Sequence, residues 1–295
     1  MTWRPLGLLT FSLVESLRLQ RFGRGDPSAY VDHERYTKAA WTPLGPAVLD
    51  VAQNDNGQAG YRLFGPGAAH LEARLPDLLG LSDPGPPESL TDDRRLGPIA
   101  DGLRLLRLTA SINPLETHAA LILQQRVTFT EAARSFRLFC ERLAKKLGPA
   151  PKLPDSPPLD LPPRPEDWLA LSQPEARALG IDAQRWRYLK VAAENARHLA
   201  PLMTLPLAEA RSHLERVAPH LPGLGPWTTA FLRGLGLADP DALPTGDVHL
   251  PHDVAKLLTG IPVGSDEQML TLLAPFSGHR FRVVRALVAD VRRRP

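Results

Sequence analysis

Residues 221–230 of this 295-residue chain read Leu-Pro-Gly-Leu-Gly-Pro-Trp-Thr-Thr-Ala and join two segments with helical spacing. The first segment runs through Glu209 to Ala218, and the second begins at Trp227. Glycine adopts backbone angles that are closed to other residues, and proline suits the first turn of a helix. The stretch therefore predicts a helix, a tight hairpin and a second helix.

The hairpin has the chemistry of a phosphate-binding element. Without Cβ atoms at Gly223 and Gly225, a phosphate can approach the backbone amides, and the following helix N-terminus adds partial positive charge. Such a device grips a nucleic-acid backbone without reading its sequence. An ordinary helix-to-helix turn is the alternative, but two glycines around one apolar residue are more restrictive, and the motif in its context favours DNA binding.

The bulk composition is that of a folded globular protein. Hydrophobic residues make up 43% and charged residues 23%, and the length favours two domains. A net charge of +3 permits polyanion binding. Cys140 is the single cysteine, which excludes an intrachain disulfide, a multi-cysteine zinc site and a four-cysteine iron–sulfur cluster. We expect a cytoplasmic protein with no membrane segment.

The pattern predicts an α+β fold. We interpret Leu6–Val14 as a strand that leads into an antiparallel β-rich region, with further strands at residues 36–41 and 47–52. Asn54-Asp55-Asn56-Gly57 between β-like runs predicts a tight hairpin. The breaker sequence at residues 83–87 places the boundary between a β-rich N-terminal domain with helices, residues 1–90, and an all-helical domain, residues 91–295.

Two interruptions mark the helical region. Residues 149–165 contain eight prolines, which predicts a surface crossover within the helical domain. The helical pattern from Pro114 to Lys146 is broken after Gln124, because Thr128-Phe-Thr-Glu131 reads as a capping box for a new helix. Such a break would project polar side chains outward, although an ordinary solvent-facing junction has the same pattern.

The hairpin resembles that of the helix-hairpin-helix DNA glycosylase superfamily, whose second signature is an aspartate downstream, where this chain has Asp247. The resemblance covers roughly residues 99–288, and the β-rich region is similar to the one that precedes the helical domain in the 3-methyladenine DNA glycosylase II branch. It implies an all-helical glycosylase domain and a double-stranded DNA partner with damaged bases. The backbone contacts that it implies come from the hairpin residues Gly223, Leu224, Gly225 and Thr228.

Two departures from other branches narrow the implied activity. Bifunctional members carry a nucleophilic lysine where this chain has Trp227, so the resemblance implies a monofunctional enzyme without a Schiff-base lyase step. Branches with a four-cysteine cluster are excluded by the single cysteine. The resemblance therefore implies excision of alkylated bases of the 3-methyladenine and 7-methylguanine type, in base excision repair.

The resemblance also implies roles for individual residues. Asp247 would act on the glycosidic bond, and Trp227 and Phe231, four residues apart on one helix, would line the base pocket. Arg126 would fill the space left by the flipped base, with Gln125 beside the orphaned base. Core packing is the alternative for the aromatic pair. For Asp247 a helix N-cap is an alternative that is compatible with catalysis.

Two other functions remain open from the sequence. Asp247, His249 and His252 could belong to a metal-dependent hydrolase, although Pro251 disturbs a shared helical face. A non-catalytic helix-hairpin-helix DNA-binding protein is the other alternative. For the glycosylase we expect no metal or other cofactor, apart from room for a monovalent cation at the hairpin. We expect a monomer that associates with the nucleoid.

Overall fold

The computed structural model describes residues 2–153 and 155–293. It contains a five-stranded antiparallel sheet in the order β1-β5-β4-β3-β2. The strands are β1 Arg4–Leu8, β2 Ala29–Val31, β3 Arg35–Thr42, β4 Gly45–Gln53 and β5 Gln58–Phe64. The rest of the described chain is largely helical, so the predicted α+β fold is confirmed.

The turn between β4 and β5 has the predicted hairpin chemistry. The Asn54 carbonyl accepts from the Gly57 amide at 2.9 Å, and Gly57 has a φ of +80°. The Asn54 side chain accepts from the amides of Asn56 and Gln58. The asparagine therefore satisfies the turn amides, while the glycine supplies the left-handed backbone.

The predicted strand over Leu6–Val14 is only partly correct. Strand β1 ends at Leu8, and helix α1, Leu13–Leu17, begins after a Ser12 cap whose hydroxyl accepts from the Glu15 amide. Buried side chains of α1 pack against the sheet. In so short a segment, the apolar residues fit the spacing of a helix as well as the alternation of a strand.

Fifteen further α-helices lie within the described residues. They are α2 Ala68–Ala73, α3 Leu75–Leu78, α4 Glu88–Thr91, α5 Ala100–Leu105, α6 Pro114–Gln124, α7 Phe129–Leu147, α8 Pro165–Ala170, α9 Gln173–Ala178, α10 Ala183–Glu194, α11 Ala196–Leu199, α12 Leu207–Val217, α13 Pro226–Phe231, α14 Leu250–Thr259, α15 Asp266–Leu273 and α16 Arg280–Arg293. A π-helical turn, Leu232–Gly236, extends α13. No helix in the described part of the chain is both long and apolar enough to cross a membrane.

The predicted break between α6 and α7 is confirmed. The Thr128 hydroxyl accepts from the Glu131 amide, and the Glu131 carboxylate accepts from the Thr128 amide at 2.9 Å. Both first-turn donors are thereby satisfied, so α7 starts afresh at Phe129. In the connecting loop Arg126 has a φ of +61°, a left-handed conformation that is uncommon for a residue with a Cβ atom.

The proline-rich segment packs its apolar side chains against the sheet. Its side chains Ala150, Leu153, Leu159 and Leu161 are buried in one cluster with strand residues such as Val48. Residue 154 lies outside the described residues. The segment connects α7 to α8, and its leucines cover the sheet while Lys152, Pro157 and Pro158 are exposed. Its place within the helical domain stays a prediction. The division into residues 1–90 and 91–295 stays a prediction.

Candidate active site

The hairpin between α12 and α13 depends on one glycine for its conformation. Gly223 has a φ of +90°, whereas Gly225 has an ordinary φ of −67° and open space where a Cβ atom would lie. Leu224 is buried and anchors the turn from inside. Only Gly223 therefore needs glycine for its backbone angles, while Gly225 leaves the approach to the amides open.

The loop between α6 and α7 is tied to this hairpin. The Gln125 side-chain nitrogen donates to the Gly223 carbonyl at 3.2 Å and to the Thr228 hydroxyl at 3.1 Å. Thr228 is buried, so its side chain lies within the fold. Arg126 is exposed, and its guanidinium donates to the Gln184 side chain at 3.3 Å. The loop and the hairpin thus form one surface, from which Arg126 projects.

Asp247 lies at the start of α14 and accepts three hydrogen bonds. One oxygen accepts from the amides of His249 and Leu250, each at 2.8 Å. The other accepts from the indole nitrogen of Trp227 at 2.7 Å. Three N–H donors thus hold the carboxylate. Asp247 therefore holds the amides at the entry to α14, whose N-cap residue is His249, and is fixed in position by the aromatic residue that follows the hairpin.

Asp247, Trp227 and Phe231 line one cavity of about 230 Å³. The rings of Trp227 and Phe231 meet edge to face with centroids 4.9 Å apart, and Phe281 of α16 lies 6.3 Å beyond Phe231. Both predicted aromatics also pack partly against a buried cluster, so lining the cavity and packing the core are not exclusive. The lining is mostly apolar, and Asp247 contributes a carboxylate to it.

Comparison of whole sequences identifies no relative: no family model matches, and no curated protein matches. Comparison with solved structures identifies similar folds. A 3-methyladenine DNA glycosylase from Archaeoglobus fulgidus superposes with a TM-score of 0.76 over 99% of both chains, at 16% identity. The chain has the helix-hairpin-helix DNA glycosylase fold. The fold that the resemblance implied is thus confirmed.

Glycosylases with other specificities share this fold. A protein named MBOgg1, solved with a low-affinity DNA ligand, has a TM-score of 0.70 at 18% identity, with 99% of each chain covered. An 8-oxoguanine glycosylase/lyase from Clostridium acetobutylicum, solved with DNA, has a TM-score of 0.68 at 12% identity and covers 99% of this chain and 98% of its own. The fold alone therefore does not select the damaged base.

The sequence did not predict several residues that line the cavity with Asp247. They belong to the segment after α1, the first turn of α6, and α16, namely Leu19, Gln20, Arg21, Phe22, Glu116, Thr117, Phe281, Val284, Arg285 and Val288. No motif links these segments, which lie far apart in the chain. Local spacing therefore could not have revealed them.

Glu116 brings a buried ion pair to the cavity wall. Its carboxylate accepts from the Lys38 ammonium at 2.6 Å, and Lys38 lies 3.5 Å from Asp26. Burial raises the pKa of Glu116, and the positive charge of Lys38 opposes that shift. Burial alone would lower the pKa of Lys38, but Asp26 and Glu116 raise it above its ordinary value. Lys38 is therefore a charged, paired group and a poor nucleophile.

The structure does not support a metal site at Asp247, His249 and His252, which the sequence allowed. His249 and His252 are exposed, and the His252 Nδ1 accepts from the Gly264 amide at 3.1 Å. Both Asp247 oxygens already accept hydrogen bonds. Within residues 2–153 and 155–293, no group of three or more His, Cys, Asp or Glu side chains is placed to hold a metal ion.

Proposed function

We propose that the chain is a monofunctional DNA glycosylase of base excision repair that hydrolyses the N-glycosidic bond of alkylated bases. The observation that carries the proposal is the hydrogen bond from Trp227 to Asp247 inside an aromatic cavity beside the hairpin. This arrangement places an aromatic surface and a carboxylate together, next to an element suited to bind a DNA backbone. The fold shared with 3-methyladenine and 8-oxoguanine glycosylases supports a DNA glycosylase.

The substrate is a base rotated out of a DNA duplex. The hairpin amides and the start of α13 would hold the phosphates beside the damaged nucleotide without reading sequence. Arg126, which projects from the adjoining loop, would enter the space that the base leaves. Gln125 already donates to the hairpin, which favours a positioning role over contact with the orphaned base.

The aromatic cavity favours a cationic base. Alkylation at N3 or N7 leaves a purine positively charged, and the faces of Trp227 and Phe231 attract such a ring by about 0.5–2 kcal/mol each. The same charge makes the base a good leaving group, so no strong general acid is required. Recognition of the charge is therefore the main task of the pocket.

Asp247 would act on the sugar. As the C1′–N bond breaks, its electron pair passes to the cationic base, which leaves neutral, and positive charge develops at C1′. The Asp247 carboxylate stabilises that charge. A water molecule forms the new C1′–O bond, and its proton passes to Asp247. The indole of Trp227 has no nucleophilic amine, so no Schiff base forms and the DNA backbone is not cleaved.

The experiment is a panel of duplexes that carry 3-methyladenine, 7-methylguanine or 8-oxoguanine, with chromatography of the released bases. We expect release of both methylated bases, slower release of 8-oxoguanine, and no covalent adduct after borohydride treatment. Faster release of 8-oxoguanine would contradict the alkylated-base proposal, and a borohydride adduct would contradict monofunctionality. Tight duplex binding with no released base would instead support a non-catalytic DNA-binding protein.

A further inference from the structure

A second, strongly basic groove lies between the segment after α1 and the N-terminal half of α7. Its volume is about 820 Å³. The charged side chains that line it are five arginines and one glutamate, namely Arg18, Arg21, Arg24, Arg134, Arg137 and Glu15. We call this feature the arginine groove.

Much of the positive charge in the arginine groove is not neutralised by the protein. Arg18 pairs with Glu15 at 2.7 Å, and Arg137 lies 3.6 Å from Glu141. In the part of the chain that the structure describes, Arg24 and Arg134 form no ion pair, and both are exposed. The groove therefore presents free guanidinium groups to a ligand.

Arg21 adds an unsatisfied donor at the inner end of the groove. Its Nε atom is buried and has no hydrogen-bond partner among the described residues. Burial lowers the pKa of Arg21, while Asp26 partly offsets the shift. A buried donor without an acceptor is unfavourable, so an anionic ligand that supplies an oxygen would relieve it.

The arginine groove adjoins the cavity that holds Asp247. Arg21 and Phe129 line both. Trp227, on the helix that follows the hairpin, lines the same cavity. The cavity thus has the helix after the hairpin at one wall and residues of the arginine groove at another. A strand that delivers a nucleotide to the cavity would pass close to both.

We propose that the arginine groove binds the phosphates of the DNA strand beside the flipped nucleotide, as a second backbone contact in addition to the hairpin. The guanidinium fork matches phosphate oxygens in bidentate geometry. Arg134 and Arg137 lie three residues apart on α7 and face the same side, as successive contacts along a backbone require. This inference rests on the proposed glycosylase function for its choice of DNA as the ligand.

The test is duplex binding by the full chain over a series of KCl concentrations, with the double variant Arg24→Gln/Arg134→Gln. The probe is a short labelled duplex containing a stable abasic-site analogue. Each lost phosphate contact lowers the slope of log affinity against log salt by about 0.9, so we expect the slope to fall by about 2. The matched control is Arg94→Gln/Arg177→Gln, which removes two exposed arginines outside the groove.

The outcomes separate this inference from the proposed function. A lower slope for the groove variant and an unchanged slope for the control would support the groove. Equal slopes for the wild type and both variants would overturn it, even if base release by the wild type is normal. A lower slope together with no base release would retain the groove and reject the glycosylase. Thermal unfolding of each variant checks that the fold is intact.

Discussion

The carboxylate of Asp247 accepts from the two amides that begin α14 and from the indole of Trp227. The amides fix one oxygen, and the indole fixes the other. Its position is therefore set by two elements that are separate in sequence. The amide contacts serve the local turn before α14, whereas the indole contact ties the carboxylate to the cavity and is the part that the proposed function uses.

Trp227→Phe keeps an aromatic ring in the cavity but removes the donor to Asp247. A hydrogen bond to a charged group contributes about 1.5–3 kcal/mol, so we expect single-turnover base release to slow by about 10- to 100-fold. The cap of α14 and the affinity for duplex DNA should change little. Rapid-quench kinetics measure the release. An unchanged rate would show that the indole contact is not needed.

Arg126 stores backbone strain in its left-handed conformation. Arg126→Gly should raise the free energy of unfolding by about 1 kcal/mol because glycine accepts that conformation without strain. If Arg126 fills the vacated space as proposed, base release from duplex DNA should fall, since that side chain is lost. Arg126→Ala is the control, because it keeps the strain and loses the side chain. Release by both variants at the wild-type rate would reject the proposed role.

Within the hairpin, Gly223 has a left-handed backbone that favours glycine, whereas Gly225 has ordinary backbone angles. Gly223 cannot be replaced without backbone strain, whereas a Cβ atom at Gly225 would meet nothing within 4 Å. A substitution at Gly223 would therefore affect folding, whereas a substitution at Gly225 would affect only the proposed contact with DNA.

Gly225→Ala should leave the thermal unfolding of the protein nearly unchanged but weaken duplex binding by about tenfold, because the methyl group blocks phosphate from the amides. Gly97→Ala is a matched control, since its Cβ atom would also meet nothing within 4 Å. Fluorescence anisotropy measures the affinity. Equal affinities for both variants and the wild type would mean that the hairpin is an ordinary turn.

The elements that the sequence predicted well are those determined by local chemistry. The Thr128 capping box, the Asn54–Gly57 turn and the hairpin at Gly223 each depend on a few adjacent residues. The helix over Leu13–Leu17 was missed because five residues are too few to distinguish helical spacing from strand alternation. The Lys38–Glu116 pair was missed because it joins β3 to α6, and no local pattern reports such a contact.

At the scale of the whole molecule, the helical region completes the core of the sheet. Phe281 of α16 is buried in the same cluster as Leu13 and Tyr36. A buried ion pair at 2.6 Å joins Asp83 to Arg282. The cavity draws walls from the segment after α1 and from α16, so it exists only when both regions are folded together.

The pH dependence of global stability should report on His118, a buried residue of α6. Burial lowers the pKa of His118 from 6.5 to about 4, so the unfolded state takes up a proton before the folded state does. The free energy of unfolding should therefore fall by about 3 kcal/mol between pH 6.5 and pH 4. Denaturant titrations at several pH values should show that His118→Leu lacks this loss of stability. Identical pH profiles of stability for His118→Leu and the wild type would contradict the role given to His118.

In the proposed function, the Asp247 carboxylate performs the chemistry on a base held beside Trp227. We would test this with the single-turnover rate of 3-methyladenine release by Asp247→Asn, measured together with duplex affinity. The amide retains an oxygen for hydrogen bonding but loses the charge, so we expect a rate at least about 100-fold lower with affinity within about twofold of the wild type. Release at the wild-type rate would contradict the claim.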